Sequence, residues 1–188
     1  MRQAGLRVAL IAALLMCGID AHTQNPTSSS PSDYLTKAGF VYNFAKLVEW
    51  PVSAFPEAGH PIVIGVLGND SFADVLDGVV DGKRIDNHPF VVKRLKWKEF
   101  KEQNFHILFI ASQESIHADE IVQFLKNASV LTIAETAGFA KRGGIINFTL
   151  QDSKIRFEVN LEAAKHAALN ISSQLLSLAR IVQTSTSR

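Results

Sequence analysis

Three short runs of the chain are apolar almost from end to end: Ile62 to Leu67, Phe105 to Ala111 and Val130 to Ala134. A strand with one wet face alternates between apolar and polar residues. A strand that does not alternate is covered on both faces, the condition of parallel strands between layers of helix. Phe90 to Leu95 reads as a further strand. Between the runs, Ser71 and Asp74 form a capping-box pattern that predicts a helix to about Val80, and Ile116, Glu120, Ile121, Phe124 and Leu125 stand at helical spacing. Gly143-Gly144 makes a tight turn before a strand from Ile145 to Leu150. Gln151-Asp152-Ser153 then turns the chain into Lys154 to Val159, which predicts a hairpin. The expected fold class is α/β: a mixed, mostly parallel sheet packed by helices as a three-layer sandwich.

Two longer helical patterns bracket these strands. From Tyr34 to Trp50, apolar positions recur at Leu35, Ala38, Val41, Tyr42, Ala45 and Val48. Phe40, Phe44 and Leu47 widen the stripe, which predicts a helix buried on most sides and ended by Pro51. At the other end, Leu161, Ala164, Ala168, Ile171, Leu175, Leu178 and Val182 keep a heptad-like spacing. This predicts one long C-terminal helix, with Asn160 as its N-cap and Glu162 at the positive end of its dipole. Packing on the sheet is the leading role for that helix; a homodimer seam is the alternative.

The N-terminus reads as an export signal. Arg2 and Arg7 precede the apolar stretch Val8 to Met16, and Ala21 offers a cleavage point. The stretch is short for a membrane span, which needs about 20 residues. Cleavage after Ala21 is therefore the leading expectation, and a lipidated Cys17 or an uncleaved anchor are the alternatives. The expected organisation is a signal peptide over 1–21, a flexible Ser-, Thr-, Asn- and Pro-rich lead-in over 22–33, one domain over 34–182 and a tail over 183–188. The expected location is the periplasm. Lys+Arg number 19 and Asp+Glu 18. Removing residues 1–21 takes away Arg2, Arg7 and Asp20 and leaves the charges balanced, so no nucleic-acid role is expected. Cys17 is the only cysteine, which excludes an intrachain disulfide.

Catalytic and cofactor motifs are not found: there is no G-x-S-x-G, H-E-x-x-H, P-loop or G-x-G-x-x-G. No enzyme activity, cofactor or metal is expected. His117 with Glu120 reads as a solvated helix face rather than a metal site, and Glu162 with His166 as a surface ion pair. In open α/β sheets ligands sit at the carboxyl ends of strands. Those ends would carry Asn69 and Asp70, Ser112 and Glu114, and Glu135 and Thr136, which are the candidate small-ligand pocket. Residues 83–102 hold seven basic and three acidic side chains. A solvated face is the leading reading of this segment, with Trp97 covering the sheet; Lys96, Trp97 and Lys98 are the candidate partner-docking segment, since an aromatic flanked by lysines can bury its ring while the charges stay wet.

Several stretches resemble the YfiR family of bacterial periplasmic proteins. They are Lys37 to Pro51 (KAGFVYNFAKLVEWP), Ile107 to Ile110, Gly143 to Phe148 (GGIINF) and Arg156 to Leu161 (RFEVNL). The resemblance continues through Ile171 to Leu176 (ISSQLL) and Leu178 to Arg180. Asn43, Trp50, Pro51, Gly143, Gly144, Asn160, Ser172, Ser173 and Arg180 are motif positions with structural roles. The resemblance implies an α/β sandwich without catalytic activity that represses an inner-membrane diguanylate cyclase by binding its periplasmic sensor domain. It also implies that an outer-membrane peptidoglycan-binding lipoprotein can sequester the repressor. Cysteine pairs of some members have no counterpart here, and Asn170 stands where a basic residue often precedes the Ser-Ser pair.

Overall fold

The structure is a computed structural model, and residues 30–185 are described. The expected signal peptide, Cys17 and most of the expected lead-in lie outside the described residues. In chain order the elements are α1 (Pro31–Leu47), β1 (Val48–Glu49), β2 (Ile62–Leu67), α2 (Asp70–Val80), β3 (Arg84–Ile85) and β4 (His88–Leu95). They continue with β5 (Ile107–Ile110), α3 (Ala118–Leu125), β6 (Leu131–Ala134), β7 (Ile146–Gln151), β8 (Lys154–Asn160) and α4 (Leu161–His166). The last are β9 (Asn170–Ile171), α5 (Ser173–Leu176) and β10 (Arg180–Val182).

Eight strands form one sheet in the order β10-β8-β7-β6-β5-β2-β4-β3. From β4 to β7 all neighbours are parallel; β7 and β8 form the expected hairpin, with Ile146 opposite Val159 and Gln151 opposite Lys154. Alternate residues of the central strands feed two cores. Ile64, Val66, Ile107, Phe109 and Ile133 face α1, α2, α4 and α5, whereas Leu67, Leu108, Ile110 and Ala134 face α3 and the Leu95–Phe100 segment. The three-layer sandwich follows, and it explains why these strands carry no polar alternation.

Several boundaries differ from the sequence reading: the first helix ends at Leu47, where the chain becomes extended into β1, rather than at Pro51. Helix α1 begins at Pro31, inside the expected lead-in, because Ser30 and Asp33 close a capping box ahead of Tyr34. It buries one stripe, through Lys37, Ala38, Val41, Phe44 and Ala45, and leaves Leu35 exposed. Helix α2 is capped by Asn69, whose Oδ1 accepts the Phe72 N–H at 3.0 Å, two residues before the expected cap.

The long C-terminal helix is not formed. Residues 161–182 instead make α4, β9, α5 and β10. Helix α4 stops at a left-handed Ala168 (φ 55°). The Leu169 N–H bonds the Ala164 carbonyl at 2.9 Å and the Ala168 N–H bonds the Lys165 carbonyl at 3.0 Å, the Schellman arrangement. Strand β9 then pairs antiparallel with β1, Val48 opposite Ile171, and β10 joins the main sheet parallel to β8. Part of the heptad-like spacing is real burial, since Ala164, Ile171 and Leu175 all enter the core. They reach it from separate short elements rather than from one helix face, so the helix-to-helix dimer seam has no helix to form it.

Candidate functional site

Strands β2 and β5 are adjacent and parallel, but the chain leaves them in opposite directions. After β2 it enters α2 on one face; after β5 it enters a turn at Ser112–His117 and then α3 on the other. The order β4-β2-β5-β6-β7 is that of a flavodoxin-like, doubly wound sheet, in which the departing connections leave a crevice at the switch point.

Four of the six pocket candidates meet around this crevice. Asn69 caps α2 and donates its Nδ2 to the Tyr34 hydroxyl at 2.9 Å. Glu135, at the end of β6, accepts from the Ser112 N–H at 3.4 Å and is ion-paired with Lys37 of α1. The Glu114 side chain lies over Gly68, where a Cβ would come within 2.4 Å of it. Thr136 is beside Glu135, its hydroxyl buried and without a hydrogen-bond partner, and Asp70 is exposed in the first turn of α2. The Lys37 and Glu135 side chains are each 10% exposed, so the pair is shielded from water. The switch point thus holds a helix cap and an ion pair already in place, beside a buried Thr136 hydroxyl without a hydrogen-bond partner. Sequence reasoning missed Tyr34 and Lys37. The signal was a lysine in line with Val41 and Phe44, on the stripe that the helix buries.

The docking candidates occupy the opposite layer. Lys96 and Lys98 are exposed, while the Trp97 ring stacks on His117 at 3.7 Å and on Phe100 at 4.8 Å. Trp97 is therefore engaged within the molecule. His117 faces Glu114 at 3.8 Å, and Glu120 pairs with Lys101 at 2.6 Å. His166 lies 3.9 Å from Glu162, as expected. Among the described residues no group of three His, Cys, Asp or Glu side chains is placed to hold a metal ion, and no helix is long and apolar enough to cross a membrane.

Most of the motif positions fall at joints of the fold. Asn43 is exposed on α1; Trp50 meets Phe55 edge-on, and Pro51 precedes a short turn at Val52–Ala54. Gly143 is left-handed and Gly144 lies against Phe139. Asn160 caps α4 and ties it to the Ala140 carbonyl at 2.7 Å and to Thr184 at 2.9 Å, so the expected tail is held at that point. Ser172 caps α5, and Ser173 opens it. Arg180 pairs with Glu158, a carboxylate 2% exposed, which also accepts from Asn147 at 3.3 Å.

Fold and site together define a doubly wound α/β domain whose polar residues hold the structure at its joints. The family model described as YfiR/HmsC-like matches residues 34–180, and the chain belongs to that family. Membership supports a regulatory role. No curated protein matches the sequence. Two solved structures are similar in fold. One is a conserved domain protein from Vibrio cholerae O1 biovar El Tor, with TM-score 0.55 and 11% identity over 81% of this chain and 60% of that one. The other is the ligand-free, open structure of a substrate binding protein with adhesive properties from Clostridium difficile, with TM-score 0.52 and 12% identity over 84% of this chain and 61% of that one. The chain thus spans about three fifths of the length of either structure.

Proposed function

We propose that the chain is a periplasmic regulatory binding protein that represses a membrane diguanylate cyclase by contact with its sensor domain, and that a peptidoglycan-binding lipoprotein of the outer membrane relieves this repression. Family membership supports the regulatory part. One surface feature supports action by protein contact. Where β10 ends the sheet, Leu150 and Leu178 are each 66% exposed and line one cleft with Arg156 and Arg180. Clustered apolar side chains left in water at a sheet edge, rimmed by charge, suit a protein partner.

Repression without chemistry is a population shift, in which the protein binds the inactive cyclase sensor better than the active one. Moving a sensor from mostly active to mostly inactive takes a differential of about 5.5 kcal/mol. A few buried apolar anchors supply that, whereas an exposed ion pair contributes about 0–1 kcal/mol. Small-ligand sensing at the switch point is the second reading, favoured by the convergence of Asn69, Ser112, Glu114 and Glu135. The Lys37–Glu135 pair counts against it, because a ligand must displace a partner that is already in place.

Deletion of the gene should raise cyclic-di-GMP and biofilm matrix. Leu178→Glu should mimic deletion in part at unchanged protein level. If deletion leaves cyclic-di-GMP unchanged in a strain whose cyclase is intact, the repressor reading fails and ligand sensing moves ahead.

A further inference from the structure

Residues 51–61 join β1 to β2 at the amino-terminal ends of the parallel strands, the side of the sheet away from the switch point. Rings hold this segment down. His106, immediately before β5, is 7% exposed. Its Nδ1 accepts the Val63 N–H at 3.1 Å, and its Nε2 lies 3.0 Å from the Ala54 carbonyl. An amide N–H only donates and a carbonyl only accepts. These two contacts therefore fix His106 as the neutral tautomer with its proton on Nε2. Phe55 stacks on His106 with centroids 4.6 Å apart and planes 10° apart, and its ring also lies 4.3 Å from that of His88. His88 Nδ1 is 2.6 Å from the His60 carbonyl, and the His60 ring is 5.9 Å from His106.

We propose that this cluster is an acid-operated latch on residues 51–61: protonation of His106 turns Nδ1 from acceptor into donor, opposes it to the Val63 N–H of β2 and drives the ring out of its place, so that the Ala54 contact and the Phe55 stack that hold the segment are lost with it. The surroundings favour the neutral ring. Burial pushes the His106 titration below the ordinary 6.5, and the charges of His60 and His88 push the same way, against the Ala54 carbonyl, which favours the protonated form. His60 faces it from the segment itself and His88 from β4. The backbone neighbours on β2 and β6, Val63 and Leu131, bring apolar side chains. The central strands have their own ladder and their two cores, so the sheet outlasts the latch.

Trp50 meets Phe55 edge-on at 6.4 Å and reports the latch once the other tryptophan is replaced by Trp97→Phe. In that variant, acidification from about pH 7.5 to about pH 5 should change Trp50 emission while far-UV circular dichroism holds. Amide exchange over 51–61, corrected for its intrinsic pH dependence, should rise by up to about tenfold per pH unit as His106 takes up its proton. His106→Asn, whose Oδ1 can still accept from Val63, should abolish both responses. A wild-type fold without either response, or the same responses in His106→Asn, overturns the latch. A measurement without any variant also decides it: the Val63 amide resonance should titrate together with the His106 ring, and a Val63 amide that ignores that titration sinks the proposal.

Discussion

A Cβ built on Gly144 lies 2.0 Å from the ring of Phe139, a side chain that is fully buried. No rotamer of so enclosed a ring yields that space. Gly144→Ala should therefore lose about 1–3 kcal/mol by overpacking, read as a lower urea midpoint with an unchanged slope. The Gly-Gly pair was legible in the sequence as a tight turn. The ring above it was not, because the contact joins residues that no local pattern links. The Lys37–Glu135 pair makes a similar point about charge. Glu135→Gln removes the carboxylate paired with Lys37 in a shielded place and should cost up to about 3–5 kcal/mol. The double variant Lys37→Met with Glu135→Leu should recover most of that loss, because two buried charges leave together. If the double variant is as unstable as the single one, the pair is not the source of the cost.

Among the elements, the central strands were readable because burial on both faces writes itself into composition, and Ile62–Leu67 was bounded to the residue. The C-terminal region was not. Leu161 to Val182 satisfies a helical period, and the residue that breaks it is Ala168, an alanine in the left-handed position where glycine is usual. No sequence rule flags an alanine as a stop. The buried position Lys37 was hidden for a related reason: one lysine among apolar neighbours reads as surface until the sheet is placed beneath it. A single substitution distinguishes the two accounts of this region. In a continuous helix Ala168→Gly would cost about 1 kcal/mol. At a left-handed cap it removes a Cβ clash and should instead stabilise by up to about 1 kcal/mol. Equilibrium unfolding of this variant reads the sign directly, and a loss of stability would restore the helix.

For the molecule as a whole, acid should act in two steps with separate causes. Unfolded, His106 takes its proton near the ordinary 6.5; folded, burial holds it lower. Above 6.5 both states are neutral there and its contribution is fully present. As pH falls below that value the unfolded chain binds the proton first, so stability declines, and the decline levels off once the folded ring is also protonated. Asp33 supplies the second step. The Ser30 backbone N–H, and then its hydroxyl, hold the carboxylate below the usual 3.8. Its contribution is present above 3.8 and is lost as pH falls through the lower folded value, when the capping box of α1 opens. Urea unfolding followed from about pH 8 to about pH 3 should therefore show a decline beginning near the histidine value and a second one in the carboxylate range. His106→Asn should flatten the first and leave the second. Asp33→Asn should soften the second and leave the first. A first decline that survives His106→Asn would move the acid sensitivity to another group, and with it the reason for keeping a neutral imidazole between Val63 and Ala54.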